Sequence, residues 1–293
     1  MEKTFDAGAA ALTLRGGVEI PQIGFGTFKI PAGDTQRAAE EALSLGYRHI
    51  DTAAAYNNEE GVGAALRATG MADRVFVTTK LRNADQGYDS AMRAFEESRS
   101  KLGVDVIDLY LIHWPVPSQD RYVDTWRALL ELRDQGAIRA AGVSNFMVDH
   151  LERLERETGE MPCINQVESH PGYWQPRLEE FCSSASIAIE AYSPLGHGGD
   201  IASDPAVRAA DRLGVTPAQV VLRWHLQKGH VLIPKSTHAE RMRSNLDVMH
   251  FSLSEEEVAA LDGLDAPENR CGNDPYTFAR PQTLEDMLSR GNL

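Results

Sequence analysis

The sequence predicts one α/β domain, built as a (β/α)8 TIM barrel, and three observations lead to that prediction. Short apolar segments typical of buried strands recur eight times, and amphipathic stretches with helical spacing separate most of them. The chain has 293 residues, of which 42% are hydrophobic, and no Pro- or Ser-rich linker divides it. Such a barrel takes about 250 residues, which leaves room for an N-terminal β-hairpin and a C-terminal tail.

The predicted β-elements begin with a hairpin over residues 12–20. Apolar and polar residues alternate on both sides of Gly16 and Gly17, a pair that suits a tight turn. Each of the eight strand candidates that follow is a short apolar segment of the kind that a buried parallel strand requires. They are residues 23–26, 47–50, 75–79, 106–112, 138–143, 164–168, 187–191 and 231–233.

Amphipathic helices are predicted at residues 35–45, 89–102, 122–135 and 148–157. Gly46, Gly103 and Gly136 follow three of them, where a helix C-terminus favours a residue that tolerates positive φ. The rival fold is a doubly wound sheet, which usually carries G-x-G-x-x-G after its first strand. In the nearest candidate, residues 24–29, the third glycine is replaced by Lys29. The sequence therefore favours the barrel.

The overall charge is acidic, with 43 Asp and Glu against 29 Lys and Arg and a formal net charge of −14. An acidic surface argues against nucleic acids and anionic membranes as partners, because both are polyanions. One segment departs from this balance: residues 201–250 contain seven Lys and Arg against four Asp and Glu, a local net charge of +3. Either this segment is a solvated basic helix face, or it binds an anion.

The three cysteines Cys163, Cys182 and Cys271 have neither CxxC nor metal-ligand spacing. They predict unpaired thiols in a reducing cytoplasm and no metal site. The N-terminus lacks the apolar core of a signal peptide, and no apolar run reaches the ~20 residues of a membrane span. We therefore expect a cytoplasmic protein, and a monomer, since no heptad pattern or sticky strand demands a partner chain.

Four residues with proton chemistry follow three neighbouring strands. Asp51 and Tyr56 come after the second predicted strand, Lys80 after the third and His113 after the fourth. Because the carboxyl ends of barrel strands face one mouth, where barrel enzymes build their active sites, we expect these side chains to meet there.

Together these residues predict a device that protonates a carbonyl oxygen. Tyrosine, with an unperturbed pKa of ~10, is a poor donor at neutral pH, and a neighbouring cation lowers that pKa. Lys80 supplies the cation, Asp51 holds the ammonium and keeps it protonated, and His113 orients the substrate oxygen or shares the proton. No side chain is evident as the group that attacks the carbonyl carbon, which predicts a cofactor.

The basic segment offers a site for such a cofactor. After the eighth strand come Pro234-Lys-Ser-Thr237 and a helix expected to begin near Glu240. Backbone N–H groups and the positive end of a helix dipole bind phosphate, and phosphate sites after strands seven and eight recur in barrels. The side chains beside this helix start are Lys235, Ser236, Thr237 and Arg241.

The chain resembles the aldo-keto reductase family over nearly its whole length. The matching motifs are Gly24-Phe-Gly-Thr-Phe28, Gly46-Tyr-Arg-His-Ile-Asp-Thr-Ala with Tyr56, Thr79-Lys80, Asp108-Leu-Tyr-Leu-Ile-His-Trp-Pro115, Gly142-Val-Ser-Asn-Phe146, Asn165-Gln-Val-Glu168, Tyr192-Ser-Pro-Leu195 and Ile233-Pro-Lys-Ser-Thr237 with Arg241 and Asn245. The resemblance implies a barrel closed at its base by the hairpin, and reduction of aldehydes or ketones to alcohols by NADPH without metal or flavin. It makes Tyr56 the general acid, assisted by Lys80, Asp51 and His113.

The resemblance also implies the contacts of cofactor and substrate. A grip on the adenosine 2′-phosphate makes NADP(H), rather than NAD(H), the expected cofactor. The implied cofactor residues are Thr27; Ser144, Asn145 and Gln166 at the nicotinamide carboxamide; Tyr192 stacked on the ring; Ser193 and Leu195 by the pyrophosphate; Lys235, Ser236, Thr237 and Arg241 at the 2′-phosphate; and Asn245 at adenine. Phe28 and Trp114 should wall the substrate pocket.

Three features depart from the family pattern. Arg82 stands where the family often has a pocket-lining Trp, and it points either into solvent or into the pocket, where it would favour anionic substrates such as keto acids. Ser244 replaces a Glu that reads the adenine amino group, which puts that contact in doubt. The tail, residues 266–293, is expected over the barrel mouth. It resembles the short tails of bacterial members, including the diketogluconate reductase-like branch, and predicts an open pocket.

Two other functions stay open. A Lys at a strand end of a barrel also suits an aldolase in which Lys80 forms a Schiff base, although Asp51 would keep the amine protonated and non-nucleophilic. The same motifs also suit a regulatory subunit that binds NADPH with little turnover.

Overall fold

A computed structural model describes residues 10–282 of the chain. An antiparallel hairpin precedes eight parallel strands, and each of these eight is hydrogen-bonded to the next one along the chain. The hairpin strands are β1 (Ala11–Thr13) and β2 (Glu19–Pro21); the parallel strands are β3 (Phe25–Gly26), β4 (His49–Asp51), β5 (Phe76–Leu81), β6 (Ile107–Ile112), β7 (Ile138–Ser144), β8 (Ile164–Glu168), β9 (Ala188–Tyr192) and β10 (Val231–Leu232).

The sheet curls until its first and last strands meet. Ile23 forms a parallel bridge with Leu232, and the N–H of Gly24 donates to the carbonyl of Leu232 at 2.8 Å. The two backbones approach so closely at Gly26 that an added Cβ would lie 2.7 Å from the carbonyl oxygen of Ile233. Glycine permits this approach because it has no Cβ. The predicted (β/α)8 barrel is confirmed.

Helices connect the strands in the expected alternation, with two of them between β9 and β10. The four helices predicted from periodicity are all present, and Gly46 and Gly103 end two of them in the left-handed conformation, at φ values of 110° and 65°. The helices are α1 (Ala32–Leu45), α2 (Glu59–Thr69), α3 (Tyr88–Leu102), α4 (Tyr122–Asp134), α5 (Val148–Thr158), α6 (Pro176–Ser184), α7 (Asp204–Leu213), α8 (Pro217–Gln227), α9 (Ala239–Leu246) and α10 (Glu255–Asp262).

The hairpin closes the N-terminal end of the barrel, as predicted. Leu14 and Ile20 are buried, and they pack in one cluster with Phe76, Leu109 and Ile164, which come from the first half of three barrel strands. Removing this apolar surface from water stabilises the closure. The opposite, C-terminal end of the strands carries the polar residues discussed below.

Four strands, β4, β5, β7 and β9, end one or two residues later than the sequence suggested, and two of them carry residues of the candidate site. Asp51 is the last residue of β4, and Lys80 is the penultimate residue of β5, whereas both had been expected just beyond their strands. Their backbones are therefore held by the sheet. Within residues 10–282, the helices lack the length and apolar character that crossing a bilayer would require.

Candidate active site

Lys80 lies at the centre of the candidate site and is fully buried. Its Nζ contacts Asp51 Oδ1 and Oδ2 at 2.6 and 2.7 Å, the carbonyl oxygen of Thr52 at 2.9 Å and Tyr56 Oη at 3.4 Å. An ammonium group has three hydrogens, so these four acceptors use its full capacity to donate. The amine of Lys80 is held in place by β4 and the turn that follows it.

The electrostatics of the pair favour a charged lysine. Burial alone would lower the pKa of Lys80, but the charge of Asp51, then that of Tyr56, the hydrogen bond to Asp51 and the charge of Glu190 together outweigh burial and raise it. At Asp51 burial raises the pKa, while the charge of Lys80 and the hydrogen bonds from Lys80 and Gln166 act against it. The geometry is that of a buried ion pair, and such a pair persists only where its lone pairs and protons are satisfied.

Tyr56 ends the short turn Ala54–Tyr56 that follows β4 and points its hydroxyl at Lys80. Burial raises the pKa of Tyr56, and the charge of Lys80 lowers it by less. Lys80 thus acts in the direction expected from the sequence, but the expectation of a net lowered pKa is wrong. The cause is desolvation, which disfavours the phenolate. The phenol is protonated at neutral pH.

His113 follows β6, and its ring packs edge-on against Tyr56 with 5.7 Å between ring centroids. Burial, and then the charge of Lys80, hold the pKa of His113 well below its usual range. The imidazole is therefore neutral at neutral pH. Its Nδ1 is buried and lacks a hydrogen-bond partner within residues 10–282. A neutral ring fits the predicted role of orienting an oxygen better than that of sharing a proton.

A second polar group lies beside these residues, at the ends of β7, β8 and β9. Asn145 Nδ2 donates to the carbonyl oxygen of His113 and to Ser144 Oγ, both at 3.0 Å. Tyr192 Oη donates to Asn145 Oδ1 at 2.8 Å, and Ser144 Oγ donates to the carbonyl oxygen of Gln166 at 2.9 Å. The four residues that the resemblance assigns to the nicotinamide therefore form one hydrogen-bonded group next to His113.

Gln166 connects this group to the lysine and to an acid that sequence reasoning missed. Its Nε2 donates to Asp51 Oδ2 at 2.8 Å and to Glu190 Oε2 at 2.9 Å. Glu190 is fully buried on β9, and burial, then the charge of Asp51, raise its pKa to about 8. A carboxyl group inside an otherwise apolar strand was the signal available in the sequence.

The residues expected at the 2′-phosphate lie between β10 and the first turn of α9. Lys235 and Arg241 are exposed, and in the part of the chain that the structure describes neither pairs with a carboxylate. Ser236 Oγ accepts from the N–H of His238 at 3.1 Å, and Thr237 is half-buried. Two unpaired cations and two hydroxyls at a helix start are a suitable donor set for a phosphate.

The other residues expected at the cofactor lie on several loops and on α9. Thr27 is buried after β3, and its Oγ1 donates to the carbonyl oxygen of Asp51 at 3.0 Å. Ser193 and Leu195 are half-buried in the segment after β9, where Ser193 has a φ of 49°. Asn245 lies buried in α9.

The mouth of the barrel carries aromatic residues on two sides. Phe28 is 48% exposed, and its ring lies 5.1 Å from that of Tyr56. On the other side Trp114 packs on Phe278 of the tail, with 4.4 Å between ring centroids. Asn83 Nδ2 also donates to the carbonyl oxygen of Arg280 at 2.9 Å. Residues 283–293 of the expected tail lie outside the described residues.

Arg82 does not contribute to this mouth. Its Nε donates to Asp85 Oδ2 at 2.8 Å, and its second ion-pair partner is Glu97 of α3, at 3.8 Å. The side chain is 19% exposed and is held on the helix side of β5. Both expected orientations, into solvent or toward the substrate, are therefore corrected: two carboxylates hold the guanidinium against α3.

A second buried cluster, also missed in the sequence, attaches the tail. His170 Nδ1 lies 2.6 Å from Asp200 Oδ2, and His170 Nε2 lies 3.2 Å from Glu168 Oε1. Glu168 also accepts the backbone N–H groups of Cys271 and Gly272, at 2.5 and 2.7 Å. Although burial opposes it, the two carboxylates raise the pKa of His170 to about 9. Its two nitrogens are thus both donors, which leaves no lone pair for a metal ion.

Comparisons with known proteins agree with this geometry. The aldo/keto reductase family model matches residues 22–199 and 202–266. An aldo-keto reductase of Mycolicibacterium smegmatis is 49% identical over 268 residues, which cover 91% of this chain and 97% of that protein. Methylglyoxal reductase DkgA of Yersinia pestis is 47% identical over 262 residues, 88% of this chain and 94% of that protein. The crystal structure of a Gox0644 mutant in complex with NADPH has a TM-score of 0.90 and 44% identity, covering 93% of this chain and 99% of that one.

Proposed function

Because the chain belongs to the aldo-keto reductase family, we propose that it reduces small reactive aldehydes and α-dicarbonyl compounds such as methylglyoxal to alcohols with NADPH. The observation that carries the proposal is the convergence of Tyr56, Lys80, Asp51 and His113 at one end of the barrel. A relative named methylglyoxal reductase and one named glyoxal reductase support this substrate class.

The residues present fit NADPH. Lys235 and Arg241, which pair with no carboxylate among residues 10–282, lie with Ser236 and Thr237 beside the start of α9 and suit a phosphate dianion. Ser144, Asn145, Gln166 and Tyr192 suit the amide and ring of nicotinamide; Ser193 and Leu195 would lie by the pyrophosphate, Asn245 by adenine, and Thr27 nearby. When bound, the cofactor supplies a hydride to the carbonyl carbon.

Tyr56 is the proton donor in this proposal. As the carbonyl oxygen gains electrons it becomes an alkoxide, a stronger base than phenolate, so even a tyrosine with a raised pKa can protonate it. The O–H bond of Tyr56 breaks, the O–H bond of the alcohol forms, and solvent later returns the proton. Lys80, 3.4 Å from Oη, stabilises the phenolate left behind.

Asp51 and His113 act through position. Asp51 accepts two hydrogen bonds from Lys80, which keeps the ammonium charged and oriented toward Tyr56. The neutral ring of His113 lies against that of Tyr56 and orients the carbonyl oxygen for the proton. Phe28 and Trp114 add apolar walls, while Arg82, paired with Asp85, takes no part.

The two alternatives are less well supported. A Schiff-base aldolase needs a neutral, accessible amine, whereas Lys80 is buried, and Asp51 keeps its pKa raised. A regulatory subunit that only binds NADPH needs no proton donor, so it would not require a lysine beside a tyrosine hydroxyl in the barrel mouth. Turnover is therefore the function that the geometry favours.

We also propose a cytoplasmic monomer with one domain over residues 1–293 and a tail that covers the mouth. The free thiols of Cys163, Cys182 and Cys271 support a reducing compartment. The contact between Trp114 and Phe278 supports the position of the tail. Light scattering after size exclusion tests the monomer: a mass of about twice 32.2 kDa would contradict it.

The test is turnover of NADPH, followed by the loss of absorbance, with methylglyoxal, glyoxal, aromatic aldehydes and keto acids. We expect reduction of the α-dicarbonyls, and a Tyr56→Phe variant that loses about 10²–10⁴-fold in kcat, the usual contribution of a general acid. The affinity of this variant for NADPH should stay unchanged. Tyr88→Phe, at an exposed tyrosine at the start of α3, is the matched control. No turnover on the whole panel would refute the reductase, and an active Tyr56→Phe would refute the proton donor.

A further inference from the structure

Glu190 is a buried acid for which the proposed mechanism has no role. Its side chain is fully buried inside the barrel on β9. Oε2 accepts a hydrogen bond from Gln166 Nε2 at 2.9 Å. Oε1 has no hydrogen-bond partner within residues 10–282, and His49 Nε2 lies 3.7 Å from it. Burying a carboxyl group in this way is costly, so its presence calls for a reason.

The hydrogen bonds of Gln166 supply that reason. The amide nitrogen has two hydrogens, and carboxyl oxygens of Asp51 and Glu190 accept them at 2.8 and 2.9 Å. A flipped amide would place its own oxygen against the carboxylate of Asp51, and the neutral carboxyl group of Glu190 would have to turn its O–H toward Gln166 instead of accepting from it. The pair of acids therefore fixes the orientation of Gln166 and leaves Oε1, an acceptor, at the other end of the amide.

We propose that Glu190 is a positioning residue, which orients Gln166 to receive the carboxamide N–H of nicotinamide and stays uncharged so that Asp51 remains the single anion beside Lys80. This inference rests on the proposed function for the identity of the cofactor. A carboxamide offers two donors to such an acceptor, so the orientation of Gln166 sets which face of the ring points to the substrate.

The charge of Glu190 follows from its surroundings. Burial, then Asp51, raise its pKa to about 8, while Gln166 and Lys80 act in the opposite direction. Its other titratable neighbours are His49, which burial keeps neutral by lowering its pKa to about 3, and the thiol of Cys163, whose pKa burial raises to about 12. The carboxyl group is thus neutral at pH 7 and ionises at mildly alkaline pH.

Ionisation of Glu190 has a definite consequence for Tyr56. A negative charge at Glu190 raises the pKa of both Tyr56 and Lys80. Since it disfavours the phenolate, it weakens the proton donor. We therefore expect kcat to fall as the pH rises through about 8, which is the folded-state pKa of Glu190.

Two variants test the proposal, with NADPH binding measured by quenching of tryptophan fluorescence and kcat measured from pH 6 to 10. Glu190→Gln keeps an acceptor for Gln166 and cannot ionise, so we expect NADPH affinity near that of wild type and no fall in kcat near pH 8. Glu190→Leu removes the acceptor, and we expect about threefold to tenfold weaker NADPH binding, the usual effect of one hydrogen bond. Glu131→Gln, an exposed glutamate on α4, is the matched control.

The outcomes separate cleanly. Wild-type NADPH affinity in a folded Glu190→Leu would overturn the positioning role, and an unchanged alkaline fall of kcat in Glu190→Gln would overturn the role of its charge. If Glu190→Leu does not fold, the pH profile of Glu190→Gln still tests the role of the Glu190 charge. The binding titration needs no carbonyl substrate, so it is independent of the turnover assay. If Glu190→Leu binds NADPH more weakly but the wild-type protein reduces no carbonyl compound, the positioning role of Glu190 is upheld and only the proposed function is refuted.

Discussion

Replacing Lys80 by methionine removes one charge from a buried pair and leaves the other behind. Asp51 would lose its two hydrogen bonds from Lys80 Nζ, at 2.6 and 2.7 Å, and keep only the one from Gln166 at 2.8 Å. Breaking a buried ion pair at one partner costs about 3–5 kcal/mol. With an unfolding entropy of ~2.1 cal/mol/K per residue over this chain, the melting temperature should fall by about 5–8 °C.

The double variant Asp51→Asn/Lys80→Met should behave differently. It buries no net charge, and neutral residues often replace a buried pair at little cost, so most of the lost stability should return. Turnover should not return. Tyr56 would still lack the cation that stabilises its phenolate, and we expect kcat to be lower by about 10²-fold or more in both variants.

The assay is thermal unfolding at pH 7 together with NADPH turnover on methylglyoxal. Lys101→Met, in the last turn of α3, changes the same residue types outside the barrel and should alter neither quantity by much. A single variant as stable as wild type would contradict a buried charged pair. A double variant that turns over at the wild-type rate would show that Lys80 is dispensable.

Three further changes test other parts of the structure. Arg241→Gln should weaken NADPH binding about tenfold to a hundredfold, the range of a charge-assisted hydrogen bond, and should leave NADH binding unchanged. Arg243→Gln on the same helix is the control. Equal losses of affinity for NADPH and NADH would exclude a contact between Arg241 and the 2′-phosphate. The pKa of His170 is raised to about 9, so its ion pairs stabilise the fold fully below pH ~6.5 and less as the pH rises through 9. The difference in melting temperature between wild type and His170→Gln should thus shrink from pH 6 to 10, and a constant difference would show that His170 does not titrate there. Arg82→Ala should leave KM for keto acids unchanged; a KM raised for keto acids but not for methylglyoxal would place Arg82 in the pocket.

The barrel was predictable because its signals are local. Apolar segments, helical periodicity and the glycines that follow several of the helices depend on neighbouring residues, which the sequence displays directly. Asp51 and Lys80 were predictable together because strands of a parallel barrel end at the same mouth. Their positions inside the strands were not, since strand ends depend on hydrogen bonds to the neighbouring strands.

Features that depend on how deeply a side chain is buried, or on contacts between distant segments, could not be predicted from the sequence. Burial decides the net pKa of Tyr56, and the sequence gives no measure of how deep that phenol lies. Arg82 turns toward Glu97 because α3 packs beside β5, a tertiary contact. The cluster of Glu168, His170 and Asp200 forms only when two distant segments come together, and the spacing of these residues in the sequence does not predict it.

The contacts that attach the tail to the barrel determine which tail residues can be substituted. Glu168 binds the main-chain amides at positions 271 and 272, and at position 271 only proline would abolish this backbone donor. Position 272 is more restricted, because a Cβ on Gly272 would lie 2.5 Å from Glu168 Oε2. We therefore expect that tail residues beyond Gly272, such as Phe278 on Trp114, can be exchanged while this anchor at Glu168 stays the same.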